Sequence, residues 1–196
     1  MRDATINRKT GETDISLALT IDGSGLADLY TPCPFLDHML NLFTRHGMFD
    51  LELKCEGDTY IDYHHTVEDI GIVLGQAFRE ALGDRAGIRR YGSLLLPMDE
   101  SLIAAAVDLD GRGTLHFDVP FQSPRVGDFD VELCEEFFRA FVREAGVTIH
   151  LMRMAGTNTH HLIEAVFKSF GRALSQACEM DPRSDGGIPS SKGTLN

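Results

Sequence analysis

His64-His65-Thr66-Val67-Glu68 closes the first half of the chain and returns in the second half as His160-His161-Leu162-Ile163-Glu164. Every matching position is displaced by 96 residues. The apolar frame repeats at the same offset. Val67, Ile70, Leu74 and Phe78 answer to Ile163, Val166, Phe170 and Leu174, Gly75 to Gly171, and Ala77 and Ala81 to Ala173 and Ala177. A repeated supersecondary unit preserves its packing positions, so the apolar echo predicts a duplicated fold. Packing gives no reason to keep polar, titratable residues in register.

Residues four apart share a helix face, so His64 acts with Glu68 and His160 with Glu164. Adjacent histidines diverge by about 100° around a helix. Each doublet therefore favours two ions, one per histidine. Imidazole with carboxylate suits first-row transition metals, whereas structural zinc draws on cysteine. Cys33, Cys55, Cys134 and Cys178 form no Cys-x-x-Cys and read as buried, reduced thiols of a cytosolic protein. A lone His-His at a helix start is more often a cap or a surface pair; it is the repetition that argues for ligands.

The chain has 196 residues, 43% of them hydrophobic, with a net charge of −12. That length fits one domain or two fused halves. The acidic balance argues against a nucleic-acid partner, and an anionic substrate would need a local basic cluster. Met1-Arg2-Asp3-Ala4 opens no apolar leader, and no stretch is long and apolar enough to span a bilayer. A cytoplasmic location is the expectation.

Residues 2–9 suggest an edge strand, and alternation through Ile15, Leu17, Leu19 and Ile21 a half-buried one. Asp22-Gly23-Ser24-Gly25 reads as a turn. Pro34 opens an amphipathic helix through His46, closed by Gly47. A strand follows over Phe49–Cys55, then a short strand over Thr59–Tyr63 that feeds the first doublet helix, ending at Gly83. The second half offers a strand at Leu102–Leu109, a turn at Asp110-Gly111-Arg112-Gly113 and a strand through Leu115, Phe117 and Val119. A loop at Pro120–Asp128 precedes a helix from Val131 to Ala145, a strand through Val147, Ile149 and Leu151, and the second doublet helix to about Glu179. The expected architecture is α+β: one domain over 1–196, with pseudo-repeats near 1–84 and 85–180. Each repeat is a small mixed sheet with two helices packed on one face. The Ser-, Gly- and Pro-rich tail, 181–196, is expected to be mobile.

Shorter helices add candidates. His38 lies 26 residues before His64, and Glu136 lies 24 before His160. Pro189-Ser190-Ser191-Lys192-Gly193 combines hydroxyls, an ammonium group and accessible backbone N–H, which suits phosphate. Arg89, Arg90, Arg112 and Lys168 are the cations available to complete that cluster, although Lys168 also stands four residues after Glu164, where a plain helical salt bridge suffices. His46 and His150 read as ordinary strand or cap histidines.

Four segments carry a resemblance across nearly the whole chain: Phe35-Leu36-Asp37-His38-Met39-Leu40, Asp62-Tyr63-His64-His65-Thr66-Val67-Glu68-Asp69, Asn158-Thr159-His160-His161-Leu162-Ile163-Glu164-Ala165, and Ile188-Pro189-Ser190-Ser191-Lys192-Gly193. With them the sequence resembles the imidazoleglycerol-phosphate dehydratases of histidine biosynthesis, in their monofunctional form. The resemblance implies a homo-oligomer of 24 subunits and two Mn2+ ions in each active site, the site being shared between subunits. It implies metal ligands His38, His64, His65, Glu68, His160, His161 and Glu164. Glu136 stands where some members carry an eighth, histidine ligand. It implies substrate contacts from Glu12, His46, Arg90, Arg112, Lys168, Ser190, Ser191 and Lys192, with Glu12, Glu164 and His46 as the catalytic candidates. Leu42 stands where some members carry a substrate-contacting glutamine. Rival readings of the same donors are a binuclear phosphoester hydrolase and a structural metal that holds an oligomer together.

Overall fold

The computed structural model describes residues 1–195. The first half runs β1 (Asp3–Lys9), β2 (Thr13–Thr20), β3 (Ala27–Tyr30), α1 (Pro34–Gly47), β4 (Asp50–Gly57) and α2 (His64–Leu82). The second runs β5 (Tyr91–Met98), β6 (Ser101–Asp108), β7 (Leu115–Asp118), a hairpin of β8 (Arg125–Val126) and β9 (Phe129–Asp130), α3 (Glu132–Ala145), β10 (Thr148–Ala155) and α4 (Thr159–Cys178). The sheets have the same topology, β1-β2-β4-β3 and β5-β6-β10-β7. In each, the last strand pairs parallel and the others antiparallel. The duplicated α+β architecture expected from the repeat is the one observed.

Alternation on β2 and β4 buries Ile15, Leu17, Leu19, Leu51, Leu53 and Cys55 on one face, against the helices. The helices of one half then pack on those of the other, α2 on α3 and α1 on α4. Phe43, Phe78, Phe138, Phe141 and Phe170 fill the space between them. Four helices thus form the filling between two outer sheets.

Glycine sets how closely the helices approach. A Cβ at Gly75 would lie 2.7 Å from the Phe141 carbonyl oxygen, and one at Gly171 2.5 Å from that of Phe43. The contacts of Gly71 with Phe137 and Gly75 with Phe141, and of His38 with Glu164 and Phe43 with Gly171, advance together along both partners. Each helix pair therefore runs parallel, as do α3 and α4 through Phe137–Phe167 and Phe141–Phe170. All four N-termini, and with them both doublets, lie at one end of the molecule. Gly171→Ala is expected to lower stability by about 1–3 kcal/mol through overpacking, against a helix-propensity gain of only about 1 kcal/mol. Thermal or urea unfolding measures it, and a stabilised variant would mean that the backbones are not in such close contact.

Several expectations are corrected. Thr59–Tyr63 is a turn, not a strand, tied by the Ile61 N–H to the Asp58 carbonyl. Gly47 ends α1 but is not its left-handed cap; Met48 takes φ 58° instead. A Cβ at Gly47 would strike the Phe49 ring at 2.4 Å, so glycine there serves packing. The 120–128 loop contains β8, and β3 and β5 are strands that the periodicity did not announce. Apart from these corrections, the tail makes contacts with the body: Gly187 accepts from the Gly87 N–H, Pro189 from Arg90, and Leu195 from the buried Arg85. Among the described residues no helix is long and apolar enough to cross a membrane.

Candidate active site

Both doublets open helices. The Asp62 carboxylate accepts from the His64 N–H at 2.7 Å, and the Asn158 side chain from the His161 N–H at 3.2 Å. The first residue of each doublet then faces the carboxylate one turn on. His160 Nε2 lies 3.3 Å from Glu164 Oε1, and His64 Nε2 lies 3.8 Å from Glu68 Oε2. Parallel packing brings His38 of α1 to the same glutamate, its Nε2 2.8 Å from Oε1. His38, His160 and Glu164 thereby offer one ligand atom each, all within 4.8 Å of one another. Lys168 Nζ donates to Glu164 Oε2 at 2.7 Å, the helical pair expected from spacing. Burial pushes the Glu164 carboxyl up, but hydrogen bonds from Lys168 and His38 prevail and bring it to about 2. It is a fixed anion.

The second histidine of each doublet is oriented by a carboxylate. His65 Nδ1 donates to Asp58 at 2.9 Å, and His161 Nδ1 to Glu100 at 2.8 Å. Each bond raises the imidazole pKa, and each leaves Nε2 uncommitted to that carboxylate, the arrangement that orients histidine in metal sites. Near those Nε2 atoms lie Glu12, at 3.6 Å from His65, and Asp99, at 3.7 Å from His161.

The other half-site is looser. Arg143 reaches Glu68 at 3.7 Å, and Glu136 faces Arg139 at 3.7 Å rather than His64. Even so, Glu136 holds on α3 the place that His38 holds on α1, 98 positions earlier. His46 sits at the far end of α1, where burial and then Lys168 and Arg172 lower its pKa.

The basic group lies elsewhere. Arg90 binds Asp108 at 2.7 Å and the Pro189 carbonyl at 2.9 Å, and its guanidinium stacks on Tyr91. Arg112 binds Asp110 at 2.7 Å. Ser190 accepts from the Lys192 N–H at 3.2 Å. The Arg90 N–H bonds the carbonyl of Ala177, near the end of α4. Ala177 is sixteen residues past His161, or about 24 Å along the helix. Ser190, Ser191 and Lys192 therefore lie at the opposite end of the chain from the doublets. Asp58, Asp99 and Glu100 had not been singled out from the sequence. Glu100 alone left a trace there, since it follows Glu12 by the 88 residues that separate the two glycine-rich turns.

The imidazoleglycerol-phosphate dehydratase family model matches residues 31–174, which hold His38 and both doublets. The chain belongs to that family. The imidazoleglycerol-phosphate dehydratase of Polynucleobacter asymbioticus is 56% identical over the full length of both chains. The crystal structure of the dehydratase from Staphylococcus aureus superposes with a TM-score of 0.83 at 40% identity, over 91% of this chain and 99% of the other. That from Pyrococcus furiosus gives 0.84 at 34% identity, over 97% and 100%. As an imidazoleglycerol-phosphate dehydratase by family, the chain is an enzyme of histidine biosynthesis. All four cysteines are free and buried, which keeps them out of that chemistry.

Proposed function

We propose a metal-dependent hydro-lyase of the cytoplasm that converts imidazole glycerol phosphate to imidazole acetol phosphate and water. It would work as a homo-oligomer of 24 subunits, with two Mn2+ ions per active site and with each site built from more than one subunit. The observation that carries the shared site is the separation of about 24 Å along α4 between imidazoles and phosphate-type donors of one chain. A small phosphate ester of a five-membered ring does not span it, which supports a tail that serves a neighbour's imidazoles. Exposure agrees: the side chains of His38, His64 and His160 are 44%, 44% and 43% accessible, open to a second copy.

The donor chemistry suits manganese, being imidazole and carboxylate without thiolate. His38, His160 and Glu164 would hold one ion, and His64, Glu68 and Glu136 the other. His65 and His161, with Nδ1 already committed, would complete the sets across the subunit contact. A metal held by these residues would supply Lewis acidity to the bound substrate.

The proton to be removed has no carbonyl beside it, so the ring must supply the electrons that expel the hydroxyl. Of the two candidate carboxylates, Glu164 is pinned by Lys168 and two imidazoles. Glu12 is half exposed and free to take the C–H proton on its carboxylate and pass it on. Arg90, Arg112, Lys192 and the Ser190 and Ser191 hydroxyls would hold the phosphate. Lys168 and His46 would face the glycerol chain. Closure of the tail over this assembly would exclude water. Incubating the manganese-loaded oligomer with imidazole glycerol phosphate should yield the enolisable ketone, and chelation should abolish turnover. Turnover that survives complete chelation would refute the metal requirement, and phosphate release instead of the ketone would favour a hydrolase.

A further inference from the structure

The two halves hold equivalent glutamates in different ways. Glu12 lies in the turn joining β1 to β2, and Glu100, 88 positions later, in the turn joining β5 to β6. Each approaches the second histidine of a doublet. In the second half the turn carboxylate is fully engaged. Glu100 accepts from His161 Nδ1 at 2.8 Å, from the Asn158 N–H at 3.0 Å and from the Ser101 hydroxyl at 3.2 Å.

In the first half those bonds go elsewhere. Asp58 takes His65 Nδ1. Thr13, the counterpart of Ser101, donates its hydroxyl to Asp69 Oδ2 at 2.5 Å. Arg8, the counterpart of Leu96, pairs with the same oxygen at 2.6 Å. Asp69 is itself buried and stands where the second half has Ala165. Among the described residues Glu12 keeps one ionic contact, His65 Nε2 at 3.6 Å, and its side chain is 52% exposed.

The geometry points to Asp69 as a positioning residue for catalysis: with Arg8 it draws the Thr13 hydroxyl away from Glu12 and pins the β1–β2 turn to α2, leaving Glu12 a free carboxylate on the Nε2 side of His65. This rests on the reading of Glu12 as the proton-transfer group. The physical reason is the cost of an unmatched buried charge. Arg8 Nη1 meets Asp69 as an ion pair in this register of the turn, and a shift would separate the two charges, so the pair favours that register. The Asp58 N–H donates to the Glu12 carbonyl at 3.1 Å and holds the turn from its other side.

The decisive variant combines Arg8→Leu with Asp69→Ala. It installs at both places the residue types that the second half uses, so no charge is left buried. Measured as the manganese-loaded oligomer, it should lose about tenfold or more in kcat, with KM changed less than about twofold and metal content per subunit unchanged. Adding Thr13→Val removes the hydroxyl then free to capture Glu12, and should recover part of the lost kcat. Amide exchange of the turn, read without substrate, should quicken in the double variant. Unchanged kcat, unchanged exchange, or loss of metal together with activity would overturn the assignment. A wild-type holoenzyme that makes no ketone would instead refute the function proposed above, while the exchange measurement still decides whether Asp69 pins the turn.

Discussion

Glutamine in place of Glu164 is expected to empty the metal centre proposed at α4 and to lower kcat/KM on the order of 10³-fold, more than the 10–100-fold typical of an outer-shell partner. The residue is 7% exposed and carries three partners, His38, His160 and Lys168. The amide keeps the shape and removes the charge. Lys168, itself only 15% exposed, is then left facing a neutral group, and breaking a buried pair is strongly unfavourable. Metal content by elemental analysis, kinetics and thermal unfolding of the chelated protein separate the roles. An E164Q enzyme with full metal and full activity would reduce Glu164 to a helical salt-bridge partner of Lys168.

The second large effect is expected from Glu12→Gln. The carboxylate donates nothing to the fold that the amide cannot replace, since its one ionic contact is a loose one to His65. Removing a general base costs about 10²–10⁴-fold in rate. The loss should fall on kcat, with KM and metal content near wild type, because an interaction made only in the transition state was removed. Joint loss of metal would instead make Glu12 a ligand. Unaltered kcat would pass the proton transfer to another group.

Much of this molecule was legible in the sequence because it was written twice. The doublets, their i+4 glutamates and the apolar frame all repeat at one offset, so fold duplication and candidate ligands emerged together. What stayed hidden was set by approach in space. Asp58, Asp99 and Glu100 lie in turns, where no period marks a side chain, and their roles come from histidines on helices that fold over them. β3 is a four-residue parallel edge strand with no buried apolar series. β5 hides its alternation in the run Leu94-Leu95-Leu96 and carries Pro97, which an edge strand tolerates. Gly47 looked like a cap because glycine usually is one, yet the aromatic beside it was the stronger constraint.

The common direction of the four helices has an electrical consequence. Each helix places roughly half a positive charge at its N-terminus and half a negative charge at its C-terminus, so four aligned dipoles create a field that repels cations from the very end that carries the imidazoles. Asp37, Asp58, Asp99, Glu100, Glu132 and Glu164 gather at that end and oppose this field, while Arg45, Arg79 and Arg143 occupy last turns at the other. Part of the chain's acidic excess is thus a counterweight to the helix dipoles, and it is what the divalent ions proposed above would need in order to approach the open ends of these helices.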